Sequence, residues 1–76
     1  EEIKIKVRCR LNEIMKERGL KNSDIVRLTG VSRNTVTSLA ADATNRIDYE
    51  TLTRLCEGLG VTPGDVLVYD PNKNED

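Results

Sequence analysis

Few side chains in this 76-residue sequence could carry chemistry, and the kinds that are missing matter first. There is no His, which excludes imidazole acid–base catalysis and the usual zinc ligand sets. The two Cys, Cys9 and Cys56, read as reduced, apolar-facing thiols rather than a disulfide or redox pair. No glycine-rich phosphate loop occurs, and Asp48, Glu50, Glu57 and Asp65 fit helix caps and solvated faces better than acid–base pairs. No metal, no cofactor and no enzymatic activity are expected.

What remains is hydrogen-bonding chemistry. Arg33, Asn34, Thr37 and Ser38 have the spacing that turns them together to the outside of one helix. Arg can grip a guanine edge through two hydrogen bonds, and Asn can do the same with adenine. Small hydroxyls can touch a thymine methyl, a base edge or a phosphate. A helix with a short, polar exposed side fits the DNA major groove. The plain alternatives are a solvated charge for Arg33, a first-turn helix residue for Asn34 and surface filler for Thr37 and Ser38.

Several elements must hold those residues. Ser32 is a natural N-cap for a helix over 33–40, with Val36, Leu39 and Ala40 able to pack inward. Before it, a helix of about eight residues carries Asn22, Ser23 and Asp24 in its first turn, has Ile25, Val26 and Leu28 inward and closes at Gly30. Residues 20–40 are thus two helices around a tight glycine turn, the helix-turn-helix pattern. A first helix is expected over about Arg10 to Arg18, with Leu11, Ile14 and Met15 on one face and Gly19 as its cap. Asp48 caps a fourth helix whose Leu52, Leu55, Cys56 and Leu59 form a core stripe ending at Gly60. Thr62, Pro63 and Asp65 open a short fifth.

Residues 3–10 alternate strictly, Ile3, Ile5, Val7 and Cys9 on one face and Lys4, Lys6, Arg8 and Arg10 on the other, which is strand periodicity. A lone strand is marginal, so Ile3–Cys9 is predicted to pair antiparallel with Val66–Tyr69, apolar side against the helices. One edge of that ribbon is expected to meet its copy across a two-fold axis. The basic row reads as an edge strand kept soluble by charge, with a second DNA contact as the alternative. Arg27 and Arg54 read as solvated helix-face charges, and residues 71–76 as a disordered tail. The fold class is mainly α, one domain over 1–70 with its helix-turn-helix core at 20–40 and short strands at both ends.

The formal net charge of −1 argues against coating nucleic acid by bulk attraction. It hides a split. Residues 1–37 hold nine basic and five acidic side chains, residues 38–76 three and eight, so one basic face is expected. No run approaches the roughly 20 apolar residues of a membrane span, and the charged start does not read as a secretion signal. A cytoplasmic location follows as the expectation.

Gly19-Leu20, Ile25-Val26, Thr29-Gly30-Val31-Ser32, Val36 and Leu39, then Ile47-Asp48, Leu52, Leu55-Cys56 and Leu59 to Asp65, together resemble the Cro and phage-repressor type (XRE) family. The resemblance covers about residues 11–69 and is most specific from Leu52 to Asp65. It implies a five-helix λ-repressor-like DNA-binding fold, and a transcriptional regulator that binds paired half-sites of double-stranded DNA as a homodimer. It places Asn22 at a phosphate, Arg33, Asn34, Thr37 and Ser38 on the DNA side of the recognition helix, and Thr44 and Arg46 in a backbone-contacting loop. Lys21 stands where Thr or Ser is usual, a weaker cap but an added phosphate-binding charge; Ser32 joins the phosphate contacts. Where many members bury an Arg–Glu pair, this chain has Met15 and Ala40, so no internal salt bridge is expected there. The competing expectation, motivated by the acidic second half, is a protein-interaction module such as an antitoxin or anti-repressor subunit.

Overall fold

The computed structural model describes residues 4–44 and 46–73. The chain runs β1 (Val7–Cys9), α1 (Leu11–Arg18), α2 (Asn22–Thr29), α3 (Arg33–Ala40), α4 (Tyr49–Leu59), α5 (Pro63–Val66) and β2 (Leu67–Tyr69). Helix starts follow the side chains that satisfy their unpaired N–H groups. Ser32 Oγ accepts from Thr35 N–H at 3.3 Å, Asp48 Oδ1 from Thr51 N–H at 2.8 Å, and Asp65 Oδ2 from Thr62 N–H at 2.9 Å.

The core is aliphatic, as a chain with two Tyr and no Phe or Trp requires. Leu11, Ile14 and Met15 of α1 meet Ile25, Val31, Val36, Leu39, Leu55, Leu59 and Val66. Each such side chain contributes about 1.5–3 kcal/mol on burial. The corner between α2 and α3 is fastened three ways. Buried Thr29 donates its hydroxyl to the Ile25 carbonyl at 2.6 Å and accepts from Val31 N–H at 3.2 Å. Arg54 Nη1 donates to the Gly30 carbonyl at 3.0 Å, and Gly58 lets α4 approach the α2 backbone.

β1 and β2 pair antiparallel with Val7 opposite Tyr69, Arg8 opposite Val68 and Cys9 opposite Leu67. Arg10 N–H donates to the Val66 carbonyl and Asp70 N–H to that of Lys6, both at 2.6 Å, so even-numbered backbone groups of β1 face β2. The odd-numbered groups face away. There, Cys9 N–H donates to Asp42 Oδ1 at 3.1 Å, and the Val7 carbonyl accepts from Lys73 Nζ at 2.9 Å.

The structure corrects several expectations. β1 is three residues, not the predicted 3–9, because its partner β2 is equally short; Ile3 lies outside the described residues. Val66 closes α5 instead of opening the strand, and α1 begins at Leu11 with Arg10 as its N-cap. Leu28 is 41% exposed: Ile25 and Thr29 define the inward line of α2 and leave Leu28 roughly 80° off its centre. On α4, Leu55 and Leu59 are buried, whereas Leu52 and Cys56 are half-buried and line an open apolar hollow with Tyr49 and Pro63. Among the described residues of the ribbon's apolar side, only Cys9 and Leu67 pack on the core; Ile5, Val7 and Tyr69 are exposed. The basic row is partly internal, since Arg8 pairs with Glu13 and Asp70, and Arg10 with Glu13. Burial pushes the Cys9 thiol up, which favours the protonated form expected of a structural Cys. Within the expected tail, residues 71–73 form a turn that carries Lys73 back to β1, and residues 74–76 lie outside the described set.

Candidate nucleic-acid interface

Val36 and Leu39, 0% and 2% exposed, anchor α3 inward, and the Ser32 cap sets where it starts. That rotation leaves Arg33, Asn34 and Thr37 exposed and Ser38 half-buried. Asn34 and Ser38, one turn apart, look onto the loop between α3 and α4. With Thr44 and Arg46 they line a groove of about 460 Å³, walled by Leu39, Ile47, Asp48 and Thr51. Arg33, Thr37, Ser32, Lys21 and Asn22 lie outside that groove. The hydroxyl of Ser32 is engaged in its own helix, accepting from Thr35 N–H and donating to Thr35 Oγ1 at 2.9 Å.

The loop is built around Thr44, whose Oγ1 accepts from Arg46 N–H and donates to the Arg46 carbonyl, each at 3.2 Å. Ile47 packs on the core just beyond. At its other end α3 closes in a hydrogen-bonded turn: Ala43 N–H donates to the Ser38 carbonyl at 2.8 Å and Asp42 N–H to that of Leu39 at 3.1 Å. Asp42 sits at φ +53, where α1, α2 and α4 each use a Gly. A Cβ in this left-handed region costs about 1–2 kcal/mol.

Charges are divided between internal work and solvent. Arg27 pairs with Asp24 at 3.0 Å and Arg54 with Glu50 at 2.8 Å, whereas Lys21, Arg33 and Arg46 make no salt bridge among the described residues. The nearby acids are committed to helix ends. The Thr51 hydroxyl and N–H hold Asp48 below the usual carboxylate range, and Lys21 N–H with Arg27 does the same for Asp24. Asp24 thereby supplies the α2 cap that Lys21 lacks. Met15 is buried and Ala40 packs against the core, with no ion pair between these positions.

Sequence reasoning gave no role to Asp42, Gly58 and Lys73, named Thr29 only within the family-like pattern, and read Arg54 as merely solvated. Gly58 carried a signal, a glycine inside a helical pattern, which marks close backbone approach. Asp42 and Lys73 carried none, because their roles depend on contacts between distant parts of the chain.

Two helices around a locked glycine turn, the second presenting Asn, Arg and hydroxyl side chains beside a loop whose Arg46 makes no salt bridge among the described residues, define a small DNA-binding domain. Residues 10–72 match the Cro/C1-type HTH DNA-binding domain, and the chain belongs to that family of DNA-binding regulators. No curated protein and no solved structure matched. Among the described residues, no helix is long and apolar enough to cross a membrane.

Proposed function

We propose that this protein is a sequence-specific transcriptional regulator, a cytoplasmic repressor that occupies a palindromic operator as a homodimer without catalysing a reaction. The observation that carries this reading is the placement of Asn34 and Ser38 of the capped helix α3 beside Thr44 and Arg46 of the following loop. Eight helical residues span about 12 Å, roughly three to four base pairs of a groove about 12 Å wide. Arg33 and Asn34 bond to base edges, and Thr37 and Ser38 pack on a thymine methyl or bond to a further edge. Lys21, Asn22, Ser32, Thr44 and Arg46 meet phosphates and set the register.

One copy offers one recognition helix, and half-sites a helical turn apart are separated by about 34 Å, so two copies related by a two-fold axis match a palindrome. The Cys9 N–H and Val7 carbonyl on the outer edge of β1 are already bonded to Asp42 and Lys73. A copy is therefore directed to the β2 side, where Tyr69 is 66% exposed. Titration of a promoter duplex and a scrambled duplex at two salt concentrations tests the function. Tight, salt-sensitive binding that prefers the promoter sequence supports it; equal affinity for both duplexes, or none at low salt, refutes it.

A further inference from the structure

We infer that Asp42 and Lys73 are positioning residues for the phosphate contacts of the α3–α4 loop, bracing that loop against β1. The inference rests on the DNA-binding reading above and adds how the loop is held. Three independent features meet at Asp42. It occupies a left-handed position that three other helix ends give to Gly, two residues before Thr44. Its Oδ1 accepts the Cys9 N–H at 3.1 Å, and its Oδ2 pairs with Lys73 Nζ at 3.2 Å. Lys73 Nζ also donates to the Val7 carbonyl at 2.9 Å, so one carboxylate and one ammonium tie the end of the recognition helix, β1 and the segment after β2 together.

The same side of the loop rests on the ribbon. Asp42, Thr44, Arg46 and Ile47 share a small cleft of about 100 Å³ with Val7 and Cys9. A Gly at position 42 would satisfy the backbone with no strain, but it would remove the hydrogen bond to Cys9 N–H and the ion pair with Lys73 that fasten the loop to β1. Asp accepts the strained backbone and supplies the attachment. Arg46, with no salt bridge of its own among the described residues, depends on this placement of its backbone to present its guanidinium to a phosphate.

The test compares the wild-type protein with Asp42→Gly, Lys73→Met and Arg46→Ala, measuring duplex affinity from about 50 to 200 mM salt. Losing one phosphate contact lowers the slope of log affinity against log salt by about 0.9, about 3.5-fold in affinity change over that range. Asp42→Gly and Lys73→Met are expected to lower the slope by that amount, equally for promoter and scrambled duplexes, and to add nothing in the Arg46→Ala background. A purely structural role would change thermal stability without moving the slope. Lys73→Met keeps the backbone of the loop intact, so it decides the matter if Asp42→Gly fails to fold. An unchanged slope in a folded variant, while the wild type binds DNA, overturns the brace and leaves the DNA reading standing. A wild type that binds no duplex overturns both.

Discussion

Gly58 of α4 lies against the Leu28 carbonyl of α2 so closely that a Cβ at Gly58 would stand 2.5 Å from that oxygen, and 2.9 Å from the Thr29 Cα. Both neighbours are backbone and neither can swing aside. This contact seats α4 beneath the helix-turn-helix corner. Gly58→Ala gains about 1 kcal/mol of helix propensity, but overpacking against the main chain costs about 1–3 kcal/mol and relaxation must move α2. The variant is expected to be less stable in thermal unfolding, and an unchanged or raised midpoint would contradict the contact.

Arg54 gives a second test of the corner. Its Nη1 bond to the Gly30 carbonyl crosses from α4 to the turn, while its pairing with Glu50 stays within α4. Exposed i, i+4 pairs are worth about 0.3–0.5 kcal/mol. Glu50→Ala should therefore cost little, and Arg54→Ala about 1 kcal/mol because the turn carbonyl also loses its donor. Denaturant unfolding of both variants checks the order; equal effects would mean the Gly30 bond contributes nothing.

Acid should weaken the fold through its helix caps. Asp24, Asp48 and Asp65 are held below the usual carboxylate range, chiefly by Lys21 N–H, the Thr51 hydroxyl and Thr62 N–H respectively. A carboxyl with a lower pKa in the folded state binds fewer protons there than when unfolded. Its stabilisation is complete above the unfolded value of about 3.9 and is lost as the pH falls through the lower folded values. Urea midpoints are expected to be level from about pH 7 to 5 and to drop below about pH 4, with a shallower drop in Asp48→Asn. A midpoint that stays level into strong acid would contradict the caps.

The caps and turns behind those predictions were legible in the sequence because they are local. Ser32, Asp48, Thr62 and the closing Gly30 and Gly60 act within four residues of themselves, and each stands at the helix end it was assigned. The antiparallel pairing of the two end strands was legible from alternation and from the lack of any other partner. Strand length and the burial of Leu28 and Cys56 were not, because they depend on where a neighbouring element stops. The polar face of α3 was readable from its spacing; the brace through Asp42 and Lys73 joins residues far apart in the chain and left no trace in the pattern.

Arg33 and Arg46 should separate the two kinds of DNA contact. Arg33→Ala is expected to lose about 1–3 kcal/mol of discrimination at one base step while its salt slope changes little. Arg46→Ala should weaken all sequences about equally and lower the slope by about 0.9. Affinities for a panel of single-base operator variants at two salt concentrations check both. Equal losses of discrimination from both substitutions would contradict the assignment of Arg33 to a base and Arg46 to a phosphate.

The central claim, that α3 reads base sequence, is tested most directly by selecting bound duplexes from a random library with the wild-type protein. The account predicts enrichment of one short motif, repeated with two-fold symmetry at a centre-to-centre spacing of about 10 base pairs. Recovery of DNA with no enriched motif, or no recovery even at low salt, would contradict it.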